Sequence, residues 1–110
     1  MATAYKVLAQ NNPSATTETT LYTSPSATST VVSTLSIANL AGSSATYRIA
    51  VRPAADATTA NKHYIVYGAT VAANDSTMLT LGITLAASDV ITVFASSANL
   101  SFAAFGSQIS

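Results

Sequence analysis

Ionisable side chains are scarce in this sequence. Its 110 residues include four Lys plus Arg, four Asp plus Glu and one His, and the formal net charge is zero. Because like-charge repulsion helps to keep folded proteins apart in solution, such a chain is poorly protected against self-association. The usual acids, bases and metal ligands of enzyme chemistry are also few. The composition therefore favours a structural protein that packs against neighbours, and not an enzyme.

Cysteine and tryptophan are absent altogether. Without cysteine there is no disulfide framework, so stability must come from packing and hydrogen bonds. The first six residues lack the apolar run of a signal peptide, and no later run approaches the roughly 18 apolar residues of a membrane span. We therefore expect a soluble protein made in the cytoplasm, with no membrane partner. Zero net charge also argues against nucleic acid as a partner, because binding to a phosphate backbone needs a basic surface.

Candidate catalytic and metal-binding groups are isolated from one another in the sequence. His63 is the single histidine, it falls in a predicted strand, and no nucleophile-elbow glycines flank it. Asp75 and Asp89 stand at turns, where an Asp side chain bonds nearby backbone. The four glycines are too far apart to form a phosphate-binding loop. We predict no catalytic residue, no metal site and no cofactor.

Period-two alternation of apolar and polar residues runs along the chain and predicts strands throughout. The clearest case places Tyr47, Ile49 and Val51 on one face of a strand, with Arg48 and Arg52 on the other. Predicted strands cover residues 5–9, 19–23, 31–37, 46–52, 63–67, 79–85, 89–95 and 100–105 or beyond, separated by turn-forming sequences. We predict one domain, residues 1–110, with an immunoglobulin-like or related antiparallel β-sandwich of about seven or eight strands.

Three side chains are candidates for an interface. Arg48 and Arg52 supply half of the positive charge of the chain and share an outward face. That face is either simply solvated or a docking patch for a carboxylate-bearing neighbour, since arginine forms bidentate pairs with carboxylates. Tyr64 is the third candidate, because alternation predicts that it faces opposite to His63, Ile65 and Tyr67.

Several segments carry a family resemblance: TLYTSP at 20–25, VVST at 31–34, YRIAVRP at 47–53, NKHYI at 61–65, LTLGITL at 79–85 and SDVITV at 88–93. Over nearly its whole length the chain resembles a family of small β-sandwich virion proteins of tailed phages, many of them cyanophages. These segments are scaffold motifs, and none is a catalytic signature. The resemblance implies a sandwich built into the virion as a tail, fibre or baseplate component, or as a capsid decoration.

The expected function is accordingly a non-enzymatic virion component that self-associates and docks on other virion proteins. Strands 31–37 and 79–85 contain no charged residue, so an exposed edge on either would recruit another strand, and a homo-oligomer such as a trimer or a ring is expected. The alternative is a decoration or cement protein that stabilises the phage head. A carbohydrate-binding module is less well supported, because it needs an aromatic platform and the tyrosines are scattered.

Overall fold

The computed structural model describes residues 3–110, which are almost entirely β-structure. The elements are β1 (Thr3–Asn11), β2 (Thr19–Thr23), β3 (Ser29–Asn39), β4 (Ala45–Arg52), a 3-10 turn (Asn61–His63), β5 (Tyr64–Val71), β6 (Ser76–Leu85), β7 (Val90–Ala95) and β8 (Leu100–Ile109). The all-β prediction is confirmed, and β2 matches its predicted range residue for residue. Within these residues, no helix has the length and apolarity needed to cross a membrane.

The eight strands form two antiparallel sheets of four strands each. The first sheet has the order β1-β8-β3-β6, and the second has the order β2-β7-β4-β5. Pairs are nested along the chain, with β1 on β8, β2 on β7, β3 on β6 and β4 on β5, as if one long hairpin had been rolled up. This is the order of a jelly roll. The predicted antiparallel sandwich is confirmed, and its order differs from the immunoglobulin one, in which the first two strands are neighbours.

One apolar core lies between the inner faces of the sheets. Phe102 and Leu35 of the first sheet are fully buried there, as is Ile49 of the second. The ring of Tyr47 meets the ring of Phe102 edge to face, with 6.2 Å between centroids. Aliphatic and aromatic side chains from both sheets therefore interlock, and burial of this apolar surface is the main force that holds the sheets together.

The predicted register of β4 agrees with the structure. Tyr47 and Ile49 are buried, and Val51 packs against the core from its margin. Arg48 and Arg52 lie on the outer face of the second sheet, each half-buried by neighbours. A slip of one residue would have placed both guanidinium groups in the core, where an unpaired charge is very costly.

A buried asparagine closes one end of the sandwich. Asn39, the last residue of β3, is 3% exposed. Its Nδ2 donates to the carbonyl oxygens of Ser43 at 2.9 Å and of Val71 and Ala72 at 3.2 Å, and its Oδ1 accepts from the backbone N–H of Ala41 at 3.0 Å. One side chain thus ties β3 to the loop that follows it and to the end of β5. Most of these bonds satisfy backbone groups that lie outside the strands, at Ala41, Ser43 and Ala72.

Candidate docking site

Arg48 lies in the middle of a row of three side chains that crosses the outer face of the second sheet. Its register partners are Phe94 on β7 and Tyr67 on β5. The guanidinium carbon lies 4.2 Å from the centroid of the Phe94 ring and 4.3 Å from that of Tyr67. Cation–π contacts on both sides hold the side chain in one orientation. We call Phe94, Arg48 and Tyr67 the arginine row.

Two irregularities in β5 place Tyr67 in this row. Against β4, the pairing skips one residue of β5 at Ile65 and another at Gly68. Gly68 has a φ of 78°, a left-handed conformation that occurs in one type of bulge and that glycine adopts without strain. The bulge at Ile65 brings Tyr64 and Tyr67 to the same face, with ring centroids 4.9 Å apart and planes at 84°. The prediction that Tyr64 and Tyr67 face opposite ways is therefore wrong.

The segment between β4 and β5 leaves the arginine row uncovered. Pro53 follows β4, and the chain then folds back over the outer face of the second sheet, where Ala50 and Thr92 are buried despite pointing away from the core. Beyond that cover, Tyr67 remains 63% exposed. Tyr67 is thus the exposed member of the arginine row, and Arg48 and Phe94 are partly buried beside it.

Arg52, the second candidate, is engaged within its own chain. Its Nε donates to the backbone carbonyl of Asp56 at 3.2 Å, and one Nη donates to the Thr59 hydroxyl at 3.1 Å. The Thr59 hydroxyl in turn donates to the carboxylate of Glu18. These bonds fasten the segment between β4 and β5 onto the sheet. An interface role for Arg52 stays a prediction, but part of its donor capacity is already used.

Every carboxylate in the chain is engaged away from Arg48. Glu18 accepts from Thr59, and Asp75 accepts from the backbone N–H of Ser76. Asp89 accepts from two backbone N–H groups, and Asp56 contacts Lys62 and His63. In residues 3–110 no carboxylate lies within 4.0 Å of the Arg48 guanidinium, and Arg48 donates no side-chain hydrogen bond there. It is a fixed cation without an intramolecular counterion.

His63 does not lie in a strand, as the sequence predicts, but at the end of the 3-10 turn, where it is 6% exposed. Its Nδ1 accepts from the backbone N–H of Ala60 at 2.8 Å, so Nε2 carries the proton in the neutral ring and donates to Asp56 at 2.8 Å. Both ring nitrogens therefore hold the loop in place. Among the described residues, no group of three or more His, Cys, Asp or Glu side chains is arranged to hold a metal ion.

The hydrogen bond between His63 and Asp56 predicts that the stability of the fold depends on pH. The hydrogen bond from His63, aided by the charge of Lys62, holds the pKa of the Asp56 carboxyl below its usual value of 3.8. A carboxyl whose pKa is lowered by folding stabilises the fold above the unfolded pKa, and that contribution is lost as the pH falls through the folded pKa. We expect the melting temperature of Asp56→Asn to fall less than that of the wild type between about pH 5 and pH 2.

The matched control is Asp75→Asn, which also removes one carboxylate from an exposed turn. Its pH profile is expected to follow that of the wild type. Thermal unfolding followed by circular dichroism at each pH measures the difference. Parallel profiles for the wild type and Asp56→Asn would show that the contact between Asp56 and His63 does not stabilise the fold.

Comparison with known proteins finds no relative that could help to interpret this site. No family model matches the chain, and neither a curated protein nor a solved structure matches it significantly. The site is therefore interpreted from its own residues. Sequence reasoning identified Arg48 and missed both of its ring partners, although Gly68 directly after Tyr67 was a signal for a bulge.

Proposed function

We propose that this protein is a non-enzymatic structural component of a tailed-phage virion, in the tail, fibre or baseplate, that self-associates and docks on other virion proteins. The proposal takes as its starting point the resemblance to small virion proteins that we inferred from the sequence segments. Jelly-roll sandwiches also serve as building units of viral capsids, although they occur in lectin domains too. Because a fold does not determine a function, the argument depends on the docking site.

The observation that carries the proposal is the unpaired, pre-ordered guanidinium of Arg48. Stacking between Phe94 and Tyr67 already restricts this side chain, so little further conformational entropy is lost when a partner binds. Its planar set of N–H donors matches both oxygens of a carboxylate. The rings beside it supply apolar contact area around the charge. We therefore assign the arginine row to an acidic side chain of a neighbouring virion protein.

Incorporation into particles tests this assignment. Phage carrying Arg48→Gln is expected to hold on the order of tenfold less of the protein per particle than wild-type phage, because loss of one partner from a desolvated charge pair is costly. The control is Lys6→Gln, which removes an exposed cation from β1 in the other sheet. Quantitative immunoblotting of purified particles gives the copy number. Wild-type copy number for Arg48→Gln would disprove docking through Arg48, and absence of the wild-type protein from particles would disprove the virion role.

The alternative within the same class is a capsid decoration protein that stabilises the phage head. Its docking chemistry would be the same, so it differs only in the position of the protein on the particle. Electron microscopy of particles labelled for this protein separates the two: label on the tail supports the proposal, and label on the head supports decoration.

One observation favours a second candidate function, binding of a carbohydrate. Tyr64, Tyr67 and Asn61 line a surface cleft of about 370 Å³, within the usual size of small-ligand sites. The two rings stand nearly perpendicular and present both apolar faces and hydroxyl groups, which suits a sugar ring. The tyrosines are thus less scattered than the sequence indicates. Screening the purified protein against a glycan array separates this function from docking on a protein.

A further inference from the structure

The four edge strands of the sandwich differ in how well they are protected against pairing with another chain. Edges are β1 and β6 in the first sheet and β2 and β5 in the second. An unprotected edge presents unpaired N–H and C=O groups that can bind a further strand. Short length, charge, proline, bulges or a covering element are the features that prevent it.

Three of these edges carry such features. β2 has five residues and a register shift at Leu21. β5 has its two bulges, at Ile65 and Gly68. β1 contains the charged Lys6 and a register shift at Leu8. None of the three offers a long, regular and uncharged strand.

Of these protections, β6 has only one, a single register shift against β3. It is 10 residues long and contains no charged residue and no proline. At the register shift, Leu81 and Gly82 lie opposite the single residue Ser33 of β3, and the in-and-out alternation of β6 continues unbroken from Ser76 to Leu85. Among the described elements, only β3 contacts β6 extensively, and no other described strand pairs with its other edge.

The side chains of β6 suit a partner strand of the same sequence. Leu79, Leu81 and Ile83 point towards the core, and Met78 and Thr80 point outwards, with Met78 65% exposed. Two copies of this strand bring no like charges together, and the formal net charge of zero adds no long-range repulsion. A twofold axis perpendicular to the sheet makes two identical strands antiparallel and keeps core-facing residues opposite core-facing residues.

We infer that β6 pairs with β6 of a second copy of this chain about such an axis, so that two first sheets become one sheet of eight strands. A second copy is favoured over an unrelated strand because the antiparallel arrangement of identical strands is self-complementary and closes after two subunits. This inference rests on the proposed function only in that the protein works as an assembly. The dimer forms whether or not Arg48 docks on another protein.

Substitution of a central outward residue tests the pairing. Thr80→Lys places a positive charge on each strand beside the axis, where like charges oppose each other. The wild type is expected to have twice the 11.1 kDa monomer mass at about 100 µM, where mass action favours even a weak pair. We expect Thr80→Lys to weaken dimerisation by on the order of tenfold or more. Light scattering after size-exclusion chromatography measures both.

The matched control is Thr70→Lys, which adds the same charge to an exposed position on the bulged edge strand β5. Its dimerisation is expected to equal that of the wild type, and so is that of Arg48→Gln, which affects docking alone. Circular dichroism checks that each variant is folded. A monomeric wild type, or a Thr80→Lys variant that dimerises like the wild type, would overturn the inference.

The absence of cysteine allows a second measurement. With the axis at Thr80, a single Thr80→Cys variant is expected to form an intermolecular disulfide on mild oxidation, because the residue on the axis of an antiparallel pair lies opposite its own copy. Tyr5→Cys, on the β1 edge, is expected to remain largely reduced. Preferential crosslinking of Tyr5→Cys would place the interface on β1 and refute pairing through β6.

Discussion

Replacement of Gly106 by alanine is expected to destabilise the fold by about 3 kcal/mol, at the upper end of the usual cost of overpacking. Gly106 lies in β8, between β1 and β3. A Cβ at this position would overlap the carbonyl oxygen of Val31 and come within 3.0 Å of the carbonyl carbon of Val31 and the Cα of Val32. All three are backbone atoms, which cannot rotate away as a side chain can. The paired strands β3 and β8 would therefore have to separate at this point.

Gly82→Ala is the matched control, because this strand glycine has no heavy atom within 4 Å of the position that a Cβ would take. Its effect is expected to stay within about 0.5 kcal/mol, as for most exposed positions. Urea denaturation followed by circular dichroism gives the free energy of unfolding of both variants. Equal stabilities would mean that the first sheet accommodates a methyl group at Gly106.

The second large effect is expected from Asn39→Ala, at about 2–3 kcal/mol of lost stability. Truncation leaves the backbone carbonyl of Val71 and the N–H of Ala41 without the partner that the amide provides, whereas the carbonyl of Ala72 still accepts from the N–H of Asp75. Groups of this kind incur a desolvation penalty when they are buried without a hydrogen bond. Denaturant unfolding measures the loss.

Asn39→Asp separates hydrogen bonding from packing, because it keeps the shape of the side chain. Its carboxylate still accepts from Ala41 but turns an acceptor towards the carbonyl oxygens that the amide nitrogen bonds in the wild type. We expect it to be at least as destabilising as Asn39→Ala. Asn99→Ala, at an exposed position whose side chain makes no hydrogen bond in the described residues, controls for loss of an asparagine. If the Asn39 variants are no less stable than Asn99→Ala, the buried amide does not hold the end of the sandwich.

Strands with regular alternation were predictable from the sequence, and irregular ones were not. In β4 and β6 each apolar residue of the period-two pattern packs in or against the core. In β5 the pattern indicates the wrong face for Tyr67 relative to Tyr64, because the extra residue Ile65 between them reverses the alternation. The prediction that His63 lies in a strand is wrong for a related reason. Its side chain bonds Ala60 and Asp56 in a tight turn, a local preference that strand periodicity does not report.

Which of the uncharged strands has a free edge depends on topology, and the sequence does not carry that information locally. Residues 31–37 and 79–85 looked equally in need of a covering strand. In the structure the first range belongs to β3, which lies between β8 and β6, and the second belongs to β6 at the edge. The arginine row also depends on topology, because strand pairings between distant parts of the chain bring Phe94 and Tyr67 beside Arg48.

The nested strand order also dictates when the protein can fold during synthesis. Thr3 pairs with Ile109, and β3 is flanked on one side by β8, the last strand of the fold. Until the ribosome has released that strand, β1 has no partner in its sheet, and β3 exposes an uncharged edge. Pairings between residues so far apart in sequence form slowly, and open edges are prone to aggregation meanwhile. Production of this protein should therefore depend strongly on temperature and on chaperones that shield nascent strands.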